Sequence, residues 1–158
     1  MRSPLALVLM SLMPAVCAAA GQNFLKNGDF EEGFSDRGVP AEWQAYGGGA
    51  PQTSLVVSDV AASGRHSLLI SDYNPAQEVG VSQTVEVPAE ARFLVASVMV
   101  RAAEGGKGAG GFLQLRFLPS QKYLQTRLSA SADEWRECRI AGERPEGTTS
   151  ITVYLYTH

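Results

Sequence analysis

The chain predicts an all-β protein, an antiparallel β-sandwich or jelly roll, and three observations predict it. Sixteen glycines and eight prolines punctuate its 158 residues, and no stretch repeats apolar residues at the 3.6-residue period of an amphipathic helix. Short runs rich in Val, Ile, Leu and Tyr recur instead about every 10 to 15 residues between polar turns, the spacing of stacked antiparallel sheets. Val79 to Val87 alternates cleanly, with Val79, Val81, Gln83, Val85 and Val87 on one side and Gly80, Ser82, Thr84 and Glu86 on the other. That is a strand with one face in a core and one in water.

Taken in order, the chain opens like an export leader: Arg2, an apolar stretch from Leu5 to Val16, then Ala18-Ala19-Ala20 as a small-residue cleavage site. Residues 1–20 are read as a signal peptide and 21–158 as one β-sandwich domain, secreted, periplasmic or held at the cell surface. Ser11 and Pro14 interrupt the apolar stretch, and it is shorter than the ~20 residues a spanning helix requires, so no transmembrane segment is expected after signal removal. Cys17 raises a lipoprotein alternative that Pro14-Ala15-Val16 fits poorly. Cleavage leaves Cys138 without an internal partner, and beside Trp135 and Ile140 it reads as a small buried apolar residue.

Asn23 to Gly33 then combines apolar anchors at Phe24, Leu25 and Phe30, a turn at Asn27-Gly28 that tolerates positive φ, and carboxylates at Asp29, Glu31 and Glu32. Trp43 is placed to cover that turn. Tyr46 to Pro51 reads as a loop. Strands are expected at Thr53–Ser58, Ser67–Ser71, Val79–Val87, Phe93–Arg101, Phe112–Leu118, Tyr123–Leu128, Trp135–Ile140 and Ile151–Thr157. Core positions follow from the alternation: Leu68 and Ile70; Leu94, Ala96, Val98 and Val100; Leu113, Leu115 and Phe117; Ile151, Val153 and Leu155. Gln83, among inward residues, needs a polar partner.

Composition excludes several functions. A net charge of −3 with only 18% charged residues and no basic run argues against nucleic acid. Gly106 to Gly111 matches G-x-G-x-x-G literally, but a strand follows where a dinucleotide site needs a helix. His66 and His158 pair with no evident nucleophile, and the acids cluster in turns rather than across a sheet face as glycoside hydrolysis requires. The chain is therefore read as not an enzyme.

The outward residues carry the functional reading. Met99, Arg101, Gln114, Arg116, Tyr154 and Tyr156 fall on the non-core side of three strands, and Tyr73 and Tyr123 are placed to border the same groove. Flat aromatics beside planar hydrogen-bond donors complement a sugar ring, which has one C–H face and a rim of hydroxyls.

Asn23-Phe24-Leu25-Lys26-Asn27-Gly28-Asp29-Phe30-Glu31-Glu32-Gly33, then Pro40-Ala41-Glu42-Trp43, resembles the opening of the CenC-type carbohydrate-binding modules. Ser63 to Leu68, Val81 to Val85, Ser97 to Arg101, Trp135 and Ile151 to Leu155 fit the same pattern in the same order. The resemblance implies a galactose-binding-domain-like jelly roll that binds polysaccharide or oligosaccharide beside a partner enzyme. It also implies a structural Ca²⁺ joining the first loop to the last strand, with Asp29 and Glu31 at the matching positions and Glu32 a weaker match. Such modules close with a further strand carrying paired acidic residues, and this chain reaches His158 before one. Either a neighbouring chain supplies that strand or the sandwich is complete with one fewer. The rival functions are a structural or protein-interaction sandwich, whose terminal run Val153 to Thr157 would present an open edge, and a small glycoside hydrolase or lyase.

Overall fold

A computed structural model describes residues 22–47, 53–74, 76–103 and 109–157, together with the backbone of 5–8. The strands are β1 (Leu5–Val8), β2 (Gln44–Gly47), β3 (Thr53–Ser58), β4 (Ser67–Asp72), β5 (Val79–Glu86), β6 (Phe93–Ala102), β7 (Ala109–Leu118), β8 (Tyr123–Ser129), β9 (Arg136–Glu143) and β10 (Ser150–Thr157). Among the described residues there is no helix, and so none long and apolar enough to cross a membrane. The strands form two five-stranded sheets, ordered β3-β4-β1-β6-β9 and β2-β5-β10-β7-β8, and every pairing is antiparallel.

The alternation read from sequence sets the inner faces. Leu68, Ile70, Leu94, Ala96, Val98, Val100 and Ile140 from the first sheet meet Val79, Val81, Leu113, Leu115, Phe117, Ile151, Val153 and Leu155 from the second, all of them buried. Cys138 is buried and free, as expected, and its Sγ accepts the Ser129 amide at 3.4 Å. β10 pairs with β5 and β7 along its whole length, which makes it the centre of its sheet. The open edge expected at Val153 to Thr157 is therefore absent, because both sides of that backbone are already hydrogen-bonded.

Several boundaries differ from the sequence reading, and β9 runs on to Glu143, three residues past the expected end at Ile140. Leu5–Val8, inside the stretch read as a leader, forms a strand; the cleavage site after Ala20 and Cys17 lie outside the described residues. Tyr46 and Gly47 end β2 rather than begin a loop, since β2 pairs with β5 from Gln44↔Ser82 to Gly47↔Val79. Residues 48–52 and 104–108 lie outside the described residues. β7 starts at Ala109, with a register shift between Ala109 and Gly111.

Residues 22–43 contain no named strand, yet they seal one end of the core. Phe30 is fully buried and lies 5.6 Å from the Trp43 ring, and the Trp43 indole donates to the Asn27 carbonyl at 3.1 Å. Trp43 covers the turn as expected. Asn27 itself takes the left-handed conformation (φ 44°), which Asn adopts more readily than most residues. Its side chain donates to Ala41 O at 2.8 Å and accepts from the Glu32 amide at 3.0 Å.

Gln83 anchors this segment to the second sheet. Its amide nitrogen donates to Lys26 O (2.9 Å) and Glu42 O (3.0 Å), and its oxygen accepts the Lys26 amide at 2.8 Å. Replacing Gln83 with Leu strips partners from three backbone groups at once. Because a buried polar group left unsatisfied costs about 1–3 kcal/mol, Gln83→Leu is expected to lower unfolding stability by at least about 2 kcal/mol in urea titrations. A loss no larger than that of a surface substitution would show that water satisfies those groups.

Candidate functional site

The antiparallel register lays the outer face of the second sheet out in rows. One row reads Tyr46, Gly80, Tyr156, Phe112, Arg127 across β2, β5, β10, β7 and β8; the next reads Gln44, Ser82, Tyr154, Gln114, Gln125; the third reads Thr84, Thr152, Arg116, Tyr123. Residues opposite each other in such rows share a face and touch. Gly80 leaves the gap across which Tyr46 and Tyr156 meet, at 5.3 Å between ring centroids. A Cβ there would run into the Leu155 carbonyl and the Tyr156 backbone.

The rings form one continuous group. Tyr46 lies edge-on to Tyr154 at 4.9 Å, and Tyr156 lies 5.4 Å from Phe112. Two guanidinium groups flank them: Arg116 sits 4.9 Å over the Tyr154 ring and Arg127 5.6 Å over Phe112, both within cation–π range. Arg116 also donates to the Gln114 side-chain oxygen at 3.2 Å. Gln125 donates to the Tyr156 hydroxyl at 2.9 Å. Three ion pairs occur among the described residues, and neither Arg116 nor Arg127 belongs to any of them.

Of the residues expected to gather here, Gln114, Arg116, Tyr123, Tyr154 and Tyr156 do so. Arg101 and Met99 do not: β6 pairs with β1 and β9, so they lie in the opposite sheet. Arg101 there donates to the Ala132 carbonyl at 3.0 Å. Tyr73 follows β4 of that same sheet and is 48% exposed, without a ring contact to the cluster among the described residues. Gln114 and Tyr156 share the face but are only 6% exposed, buried by their row neighbours. They support the surface rather than form it. The accessible groups are Tyr123, which is 58% exposed, Gln125 and Arg127, with half-buried Tyr154, Arg116, Phe112 and Tyr46.

Tyr46, Phe112, Gln125 and Arg127 are members the sequence reading missed. Their signal was present in Tyr123-Leu124-Gln125-Thr126-Arg127, where the polar and aromatic residues fall on one parity. Tyr46 was hidden by the glycines after it.

Tyr46 donates to the Glu78 carboxylate at 2.5 Å. Burial, then that hydrogen bond and the nearby carboxylate charge, push its phenol up to about 12. Burial and Glu78 also raise Tyr156. Burial and then Glu78 favour the neutral Tyr46 phenol, so its contribution to stability is complete below the ordinary phenol value near 10 and is lost as pH rises toward 12.

Asp29 and Glu31, the residues at the positions that imply calcium, lie on the loop before β2. Glu31 Oε1 accepts the Arg65 and His66 amides at 2.7 and 2.8 Å, and these two bonds hold its carboxyl below the usual range. Asp29 is exposed and accepts the Glu31 amide at 3.4 Å. Among the described residues no three His, Cys, Asp or Glu side chains gather as a metal-binding group. Glu31 instead ties the first loop to the turn before β4, and Gly64 leaves the room for its carboxylate.

A separate open cleft of about 590 Å³ is lined by Gln22, Phe24, Glu86, Pro88, Arg144 and Ser150, among others. Its one arginine is already engaged, donating to Thr148 O at 2.8 Å and Ala89 O at 2.6 Å. The cleft has no aromatic platform beyond Phe24, and the tyrosine face is the better candidate.

Neither a scan against protein-family models nor a comparison with curated proteins returns a match for this chain.

Tyr46→Phe is expected to remove the late phenolate step near pH 12 from an ultraviolet absorbance titration. It is also expected to flatten the fall in melting temperature between pH 10 and 12. A wild-type titration complete by pH 11 would contradict the Glu78 pairing.

Proposed function

We propose that this chain is a secreted, non-catalytic carbohydrate-binding module of CenC-like, galactose-binding-like architecture. The observation that carries the reading is Tyr154, half-buried on the outer face, with the Arg116 guanidinium over its ring and exposed Tyr123 in the same row as Arg116. A sugar can lay its C–H face against such rings and hydrogen-bond its hydroxyls to the guanidinium and to Gln125. The ring-to-ring packing keeps these side chains ordered before binding, which limits the entropy lost on association. The resemblance of Asn23 to Trp43 to the CenC opening points the same way. Holding a polysaccharide beside a partner enzyme would raise the local concentration of the two without altering a bond.

Calcium belongs to the same proposal. Two carboxylates on one irregular loop favour it, and the engagement of Glu31 with two backbone amides leaves Asp29 as the freer ligand. A bound ion would raise the melting temperature in millimolar Ca²⁺ relative to EDTA, and Asp29→Asn would abolish the rise. An identical melting curve in both buffers removes the ion from the proposal.

The glycan reading is tested on an oligosaccharide array followed by calorimetry. Arg116→Ala and Tyr154→Ala are each expected to weaken the best glycan about tenfold or more, near 1.4 kcal/mol, with a cooperative melt retained. Arg101→Ala, in the other sheet, is expected to leave affinity unchanged. Equal affinity in all three variants would overturn the assignment of this face.

A further inference from the structure

The second sheet carries its charge unevenly across its strands. Residues 109–129, which span β7, β8 and the turn between them, hold Arg116, Lys122 and Arg127 and no Asp or Glu, in a chain whose net charge is −3. Within the strands of this sheet the one carboxylate is Glu86, which ends β5 and is in register with Ser150 of β10. Glu78, just before β5, accepts the Tyr46 hydroxyl. Glu134, beyond the end of β8, is paired with Arg136 at 2.6 Å.

The two arginines are held in place but not neutralised. Arg116 lies over the Tyr154 ring and Arg127 over Phe112, and neither meets a carboxylate among the described residues. Arg116 gives one N–H to Gln114, of the five that a guanidinium carries. A cation–π contact uses no N–H, so the remaining donors stay available to a planar acceptor.

Arg116 is opposite Tyr123 in the β7–β8 ladder and Arg127 is opposite Phe112, which sets the two about 13 Å apart along the strands. The row of Gln114 and Gln125 runs between them. One sugar cannot reach both arginines, whereas a chain of sugars laid along β7 and β8 meets them in turn.

We infer that the glycan this face takes is a polyuronide, a polysaccharide whose sugars carry carboxylates, with separate carboxylates on Arg116 and Arg127. A carboxylate is the flat two-oxygen partner that matches a guanidinium fork, and the charge makes each such hydrogen bond about twice as strong as a neutral one. Tyr154 and Tyr123 take the C–H faces of the rings, and exposed Gln125 is left for their hydroxyls. Glu78 and Glu86 repel an anionic chain from β5, which keeps it over β7 and β8. The inference rests on the glycan reading of this face and adds the charge of the sugar to it.

Calorimetry on the full chain compares oligomers of galacturonate and of mannuronate with carboxyl-reduced oligomers of the same length. One uronate or the other is expected to bind at least about tenfold more tightly than its reduced form, and at least about tenfold more tightly than its own monomer. Tyr154→Ala should weaken the uronate and its reduced form alike. Arg116→Gln combined with Arg127→Gln should abolish the preference for the uronate. Arg139→Gln, at an exposed arginine of β9 in the other sheet, should leave it in place. Arg127→Lys keeps the charge without the fork and should lose about threefold or more of the preference.

A reduced oligomer as tight as the uronate overturns the inference, and the comparison needs no variant to fold. If that neutral binding still depends on Tyr154, the glycan reading stands alone; binding of neither saccharide removes both. A monomer as tight as the oligomer overturns the pairing of two arginines with one chain. Dextran sulfate binding as tightly as the uronate, or an undiminished preference in Arg127→Lys, would show attraction to any polyanion and overturn the carboxylate assignment.

Discussion

A buried amide side chain holds the irregular segment 22–43 to the second sheet. Gln83 points into the core side of β5, where every other position on that face is valine, and makes three hydrogen bonds to the backbone of Lys26 and Glu42. Without that polar insert, residues 22–43 would cover the sheet end through apolar contacts only, those of Phe30 and Trp43 with Phe24, Leu25, Phe34 and Val39 beside them. With it, an irregular segment is placed in one register, because three directional bonds fix what apolar contact alone leaves free to slide. Asn27 and Glu31 extend the same method: one side chain turns the loop onto itself, and the other ties it to the Arg65-His66 turn.

The outer face depends on a different constraint, the strict register of β10 between β5 and β7. Because opposite residues in antiparallel strands share a side, Tyr46, Tyr156 and Phe112 come into line though they are far apart in sequence. The arrangement also explains why some members are hidden. Large rings placed side by side bury one another's edges, so Tyr156 and Gln114 form the floor while Tyr154, Tyr123 and the two arginines form the top.

Much of the fold was legible in the alternation of residues. Val79 to Val87 and Ile151 to Thr157 give their inner and outer faces directly, since a period of two admits only one assignment when one side is apolar. Sheet membership was not legible. Phe93–Arg101 and Phe112–Leu118 are consecutive strands with similar patterns, and nothing local distinguishes a hairpin from a crossing between sheets. Arg101 was grouped with Arg116 for that reason. Burial of an outward residue is likewise a property of its neighbours, which is why Tyr156 and Gln114 looked exposed. Tyr46 escaped notice because glycines mark a loop in sequence yet also end a strand, as Gly47 does at φ 60°. The strand at Leu5–Val8 was hidden because export leaders and β-strands draw on the same apolar residues.

The position of β10 bears on how the molecule is made. The middle strand of the tyrosine-bearing sheet is the latest in chain order, and it is joined to residues as distant as Asp72, whose carboxylate accepts the Thr157 hydroxyl at 2.9 Å across a separation of 85 residues. A chain synthesised from its amino end therefore has two halves of a sheet waiting for the strand that unites them. Non-local pairing of this kind is slow, so the tyrosine-bearing sheet closes only once Ser150–Thr157 has been made and can enter between β5 and β7.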